Sequence, residues 1–307
     1  MSNSFLSQLS ALGIRPKKSL GQNFLVDPAH RGRIVAAAEL TAADTVLEIG
    51  PGHGVLTELI AAQAGRVIAV ELDDRLIPFL RERFAAQPHV TIVHGDILKL
   101  DIGNLMLEAG SWKLTAGSWK LEADVSNRLP ATSFQQPASS FQYKVIANLP
   151  YYITSAAIRH LLEAAPPPEL LALTVQREVA ERMVASPPEM SLLALGVQFY
   201  CTGQIVGRIP AGAFYPAPKV DSAVVRLVRR AESPAGEVTA EAFFRAARAG
   251  FSQPRKQMRN SLAAGLSVAP AQAEAWLAAA GIAPQRRAET LTLAEWGALA
   301  RAIEVAT

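Results

Sequence analysis

The sequence predicts an α/β fold, a mostly parallel sheet with helices on both faces, followed by a small all-α C-terminal domain. Short β-branched runs recur up to Val228, and the stretches between them carry amphipathic helical patterns. Beyond that point strand runs cease, while an Ala-rich pattern punctuated by Phe and Leu continues to the end.

The strand runs are, in order, TVLEI (45–49), RVIAVE (66–71), VTIVH (90–94), YKVIA (143–147), LLALTVQ (170–176) and the closing SAVVRLV (222–228). Runs this apolar suit parallel strands buried on both faces, and in such sheets ligands sit beyond the carboxyl ends of the strands. The polar RRAESPAGE (229–237) then marks a change of character, so domains are expected over 1–230 and 231–307. In the second, Pro270 and Pro284 read as helix starts and Gly265 and Gly281 as helix ends. One stretch breaks the rhythm. AGSWKL occurs at 109–114 and again at 116–121, and SFQQPASSFQ (133–142) follows, which predicts a flexible insertion over 103–141. Its Trp112, Lys113, Trp119 and Lys120 could stack on and pair with RNA; the plainer reading is a tolerated passenger loop.

With 307 residues, 50% of them hydrophobic and 19% charged, the chain has the composition of a two-domain folded protein, which excludes collagenous and disordered classes. No apolar run approaches the roughly 20 residues of a membrane helix. The lysine pair at Lys17 and Lys18 follows the mildly apolar start, the reverse of a secretory signal, so a cytoplasmic protein is expected. The single Cys201 can make no internal disulfide and reads as a small buried hydrophobe. Thirty Lys and Arg against 27 Asp and Glu give only +3, but the bases are clustered. Arg245, Arg248, Arg255, Lys256, Arg259, Arg286 and Arg287 lie late, and Arg15, Lys17 and Lys18 early. Such clusters suit a phosphate backbone, or else are ordinary solvated helix faces.

The densest local signal is VLEIGPGHGVLTEL (46–59): a strand, Glu48, then Gly50, Gly52 and Gly54 before a helix. Glycines there let backbone approach a ligand closely, yet Val55 follows where a dinucleotide fingerprint needs its spacing completed, which argues against NAD. Glu71, 21 residues after Gly50, stands at the next strand end, where a carboxylate can accept both ribose hydroxyls. Asp96 follows the third strand in HGDIL (94–98), placed to accept from an adenine amino group. Each carboxylate alone reads as a cap or turn residue; in this order they describe a nucleoside pocket.

Here the chain resembles class I S-adenosylmethionine-dependent methyltransferases, with their Rossmann-like sheet. NLPYYI (148–153) after the fourth strand resembles the N-[L/P]-P-Y signature of those acting on exocyclic adenine amines. KKSLGQNFL (17–25), AFYPAPKVDSAVVRL (213–227), FSQPRKQMRNSL (251–262) and RAETLTLAEW (287–296) extend the resemblance to the bacterial 16S rRNA adenine N6-dimethyltransferases. It implies S-adenosylmethionine as methyl donor, held by Asn23, Leu25, Gly50, Gly52, Glu71, Asp96 and Asn148. It also implies catalysis by Asn148, Leu149, Pro150 and Tyr151, with Phe214 opposing Tyr151 across the target adenine.

In that chemistry the N6 lone pair is delocalised into the ring. The Asn148 side-chain oxygen and the Leu149 carbonyl would hold the two amine protons, and no metal or catalytic His is required; His53 and His94 read as bystanders. Arg255, Lys256 and Arg259 would bind RNA. The resemblance implies dimethylation of two adjacent adenosines in the 3′-terminal hairpin loop of 16S rRNA within an immature small ribosomal subunit; nothing in the sequence suggests an obligate dimer, so a monomer with no membrane partner is expected. The alternatives are a large-subunit rRNA adenine methyltransferase and a non-catalytic ribosome assembly factor.

Overall fold

A computed structural model of the chain describes residues 15–111 and 141–305. The AGSWKL repeat beyond Ser111, with Trp112, Lys113, Trp119 and Lys120, lies outside the described residues.

The chain enters through a short strand β1 (Phe24–Leu25) and helix α1 (Pro28–Ala36). Asp27 starts that helix by accepting from the Ala29 and His30 amides, with Pro28 at the first helical position. Then β2 (Thr45–Ile49), α2 (Val55–Ala61), β3 (Arg66–Glu71), α3 (Ile77–Arg83) and β4 (Val90–His94) alternate, followed by α4 (Ile102–Ser111). The second half brings β5 (Lys144–Asn148), α5 (Thr154–Leu162), β6 (Leu170–Gln176), α6 (Arg177–Met183), α7 (Leu192–Gln198), β7 (Cys201–Ile209), β8 (Phe214–Tyr215) and β9 (Ser222–Arg229).

Seven strands form one sheet in the order β4-β3-β2-β5-β6-β9-β7. β4, β3, β2, β5 and β6 pair in parallel, and β9 runs antiparallel to β6, with Leu170 opposite Val228 and Gln176 opposite Ser222. The chain leaves β2 toward β4 on one side and returns to β5 on the other. This reversal of direction lies between β2 and β5, where an open α/β sheet parts its carboxyl-end loops into a crevice. Nearly every residue of β2, β3, β5 and β6 is buried, as parallel strands between two helical layers must be.

Three strands escaped the sequence reading. β7 alternates buried ends with exposed and half-buried positions at the sheet edge, so its CTGQIVGRI carries no apolar run. β1 and β8, two residues each, form a separate antiparallel pair, Phe24 opposite Tyr215 and Leu25 opposite Phe214. The insertion also needs correcting at its start. Asp101 accepts from the Asn104 amide, and α4 buries Ile102, Leu105 and Met106, so the chain is helical to Ser111 where a loop from 103 was expected. Burying each such side chain contributes about 1.5–3 kcal/mol, enough to hold a ten-residue helix.

The described residues divide into two compact units: 15–111, 141–180 and 203–229 in the first, and 181–202 with 230–305 in the second. The second unit is helical, with α8 (Ala240–Gly250), α9 (Met258–Leu266), α10 (Pro270–Ala279) and α11 (Leu293–Val305). It also takes in α7, because Phe199 just beyond that helix packs on Phe243 at 4.5 Å and Phe244 at 5.3 Å. Pro270 does open α10, and Gly281 follows it with a left-handed φ of +69°. Pro284 instead sits in a turn, its carbonyl accepting from the Arg259 amide. Gly265 lies inside α9, which ends at Leu266 on a left-handed Ser267; a Cβ at Gly265 would strike the Ala249 backbone, so the glycine serves close helix packing.

Candidate active site

The first unit carries a cavity over the carboxyl ends of β2, β3 and β5. Asn23, Leu25, Gly50, Gly52, Glu71, Asp96, Asn148, Leu149, Pro150 and Tyr151 all line it, although they span more than 120 residues of sequence.

Its floor is the glycine turn. Gly50 extends the ladder by donating to Val70 O at 2.9 Å, then turns with φ +68°, and a Cβ built on it would meet nothing within 4 Å. The backbone there borders open space, as close approach of a ligand requires. Gly52 has φ +59°, and a side chain would press on the Phe24 ring at 3.0 Å. Its amide donates to Glu71 Oε2 at 3.0 Å, and the Asp73 amide donates to Oε1 at 2.8 Å. Glu71 is thus aimed by two backbone donors while burial raises its pKa. A carboxylate has about four lone-pair sites, so acceptor capacity remains beyond these amides. Asp96 accepts from the Leu98 amide at 3.1 Å and lies 3.8 Å from Lys99 Nζ. It is both the turn residue of the plain reading and a member of the cavity wall.

Across the cavity, Asn148 ends β5. Its Nδ2 donates to Asn23 O at 3.1 Å, which fixes the amide so that Oδ1 is the free acceptor end. Pro150 O is engaged by the Ile153 amide and the Thr154 hydroxyl. Among the described residues nothing donates to Leu149 O or Asn148 Oδ1. Tyr151 is half-buried, and its hydroxyl lies 2.8 Å from Ser222 Oγ. Burial raises its pKa, with Ser222 opposing and Asp221 adding to the shift.

Two further titratable groups lie beneath the turn. Glu48, between Ala69 and Ile146 on neighbouring strands, is buried in the sheet centre, which together with Glu71 pushes its pKa up to about 8. Burial beside Arg31 and Arg83 brings His53 down to about 3, leaving a neutral ring packed edge-on against Phe24. A neutral buried imidazole fits the bystander reading. His94 is exposed at the end of β4.

Comparison with known proteins decides the family. The profile described as "Ribosomal RNA adenine dimethylase" matches residues 13–304. The chain belongs to the ribosomal RNA adenine dimethylase family. It is 43% identical over 283 residues to "Ribosomal RNA small subunit methyltransferase A" of Dehalococcoides mccartyi, covering 92% of this chain and 87% of that protein. Among solved structures, the 23S rRNA methyltransferase ErmE aligns with TM-score 0.64 and 26% identity over 92% of this chain and all of that one. A dimethyladenosine transferase from Plasmodium falciparum shares the fold, with TM-score 0.65 and 22% identity over 90% of this chain and 95% of that one.

Set in this family, one motif residue stands apart. Phe214 is 4% exposed, packed in the core cluster with Leu25 and Ala213, and it does not line the cavity. In this conformation it cannot stack on a base opposite Tyr151. Arg255, Lys256 and Arg259 are exposed in the second unit, Arg255 and Lys256 in the turn before α9. Arg259 already pairs with Glu274 at 2.8 Å, so Arg255 and Lys256 are the freer charges. Three residues that support the cavity went unread in sequence: Gln22 and Asp73, which hold the segment before β1, and Ser222, which holds Tyr151. Asp73 was signalled only by its place two residues after Glu71.

Proposed function

We propose that this dimethylase transfers methyl groups from S-adenosylmethionine to N6 of two adjacent adenosines in the 3′-terminal hairpin loop of 16S rRNA. The observation that carries it is the fixed Asn148 amide, whose Oδ1 and neighbouring Leu149 O stand as paired acceptors beside a glycine-floored cavity with a carboxylate at its far end. The residues present fit the donor. Gly50 leaves open space, Glu71 keeps acceptor capacity for ribose hydroxyls, and Asp96 can accept from an adenine amine.

S-adenosylmethionine supplies a methyl group activated by the adjoining sulfonium charge. The chain supplies position. Asn148 Oδ1 and Leu149 O would each accept a hydrogen bond from one N6–H, drawing the nitrogen toward tetrahedral geometry and freeing its lone pair. Pro150 stiffens the turn, and Tyr151, tethered by Ser222, offers a π-face to the extruded base. Alignment of this kind contributes on the order of 7–11 kcal/mol to a bimolecular transfer. Once methylated, the amine is acidic enough to lose its proton without a strong base.

The substrate is the immature small subunit in the cytoplasm, and the enzyme acts as a monomer without a resident metal. Among the described residues no helix is long and apolar enough to cross a membrane. The likeness to ErmE keeps large-subunit RNA as a second reading, but identity to the small-subunit relatives is much higher, 43% against 26%. Labelled S-adenosylmethionine offered to hypomethylated small subunits and, separately, to large-subunit RNA decides between them. Dimethyladenosine on the small subunit is expected. Label on large-subunit RNA alone moves the chain to the second reading, and cofactor binding without transfer to either favours a non-catalytic assembly factor.

A further inference from the structure

The segment 17–25 crosses the cavity as a strap. Its distal end is β1, paired to β8, and its middle is held where Asn23 O accepts from Asn148. Its proximal end is gripped by one buried carboxylate. Asp73 Oδ2 accepts from Gln22 Nε2 at 2.9 Å, and Asp73 Oδ1 lies 3.4 Å from Lys17 Nζ. Gln22 Oε1 in turn accepts from the Lys17 amide at 2.8 Å, closing the strap on itself. Arg75 completes the grip: it pairs with Asp73 at 2.6 Å and donates to Arg15 O at 3.3 Å. The Asp73 side chain is buried while Lys17 and Arg75 remain part-exposed, so its carboxylate is held by charge-assisted hydrogen bonds at the edge of solvent. The same residue also positions the Glu71 carboxylate, since its amide donates to Glu71 Oε1.

We propose that Asp73 is the positioning residue that latches the 17–23 strap over the cofactor cavity and couples that closure to the carboxylate of Glu71. The proposal rests on the reading of this cavity as the S-adenosylmethionine site. A ligand held by Glu71 firms the 71–73 loop, and that loop holds the strap that covers the ligand. Side chain and backbone of one residue thereby make cofactor retention depend on strap closure.

The strap-side variant Lys17→Ala with Gln22→Ala leaves in place the Asp73–Arg75 pair and the turn cap in which the Arg75 amide donates to Asp73 Oδ1 at 3.3 Å, so it separates latching from folding. Asp73→Asn keeps a capping oxygen while removing the charge. Two readouts are taken on the full chain: amide hydrogen exchange across 17–23 without ligand, and the dissociation rate of S-adenosylhomocysteine by stopped flow. Faster exchange confined to the strap and dissociation about tenfold faster are expected for either variant, as fits loss of charge-assisted hydrogen bonds. Combining them should add little, because both break one latch. Parent-like dissociation in the strap-side variant, or fully additive effects, overturns the proposal. If the parent itself binds no S-adenosylhomocysteine, the cofactor reading fails, and exchange alone decides: faster strap exchange in the variants supports the latch, and unchanged exchange overturns it.

Discussion

The two halves of the cavity are built on opposite plans. On the cofactor side, at the ends of β2 and β3, polar groups are already engaged: Glu71 by two amides, Asp73 by Arg75 and Gln22, and Asp96 by the Leu98 amide. On the target side, at the end of β5, the Asn148 amide is pinned by its donor end, while Oδ1 and Leu149 O are left as acceptors. On the proposed assignment the first half would hold the methyl donor, and it is prefolded around fixed carboxylates. The second would meet the extruded base, and acceptors held ready would cost no reorganisation when it arrives.

The strongest way to break this comparison is Asn148→Ala. Methyl transfer should fall by about 10²–10³, the usual effect of removing one preorganised polar group, and by more than any weakening of S-adenosylhomocysteine that follows from releasing Asn23 O, as calorimetry separates. Near-normal transfer would remove the acceptor pair from the mechanism.

Next in size is the floor beneath the cofactor half. Glu48 has a folded pKa of about 8 against an ordinary value of 4.5, so the native state binds the extra proton between them. Its contribution to stability is full below pH 4.5 and is lost as pH rises to about 8. Glu48→Gln should erase that slope and melt above the parent at pH 9, with a gap on the order of a few kcal/mol. Denaturant titrations at pH 5, 7 and 9 measure it, and parallel curves would place the charge elsewhere.

Glu71→Gln sharpens the division itself. Loss of a charged acceptor should weaken S-adenosylhomocysteine by about 10-fold to 100-fold and leave RNA affinity alone. A matching loss in RNA binding would mean the halves are not independent. Charge reversal at Arg255 and Lys256 makes the converse case: the log–log salt slope of RNA affinity should shrink by roughly 0.7–0.9 for each lost phosphate contact, with cofactor affinity unmoved.

The smallest effect is expected at the target half's support. Ser222→Ala removes one hydrogen bond to the Tyr151 hydroxyl, worth about 1 kcal/mol, so KM for RNA should rise a few-fold with kcat little changed. Tyr151→Phe should match it if the hydroxyl only anchors the ring, and single-turnover kinetics separate the two.

The sequence by itself determined the alternation of strands and helices, the glycine turn, and the carboxylates at successive strand ends. Each of those is written in contiguous residues: apolar runs have a period, and a tight turn needs glycines in a row. The NLPY motif was legible for the same reason, as one turn after one strand. Only the tertiary structure could show that Gln22 meets Asp73, that Ser222 meets Tyr151, or that Phe199 joins the aromatic pair on α8. Those partners lie 51, 71 and 44 positions apart in the chain, and hydrogen bonds and ring packing leave no periodic trace across such distances. Phe214 shows the same limit from the other side. Its motif is plain in sequence, but burial beside Leu25 is decided by the β1–β8 pairing, a contact that two-residue strands do not announce.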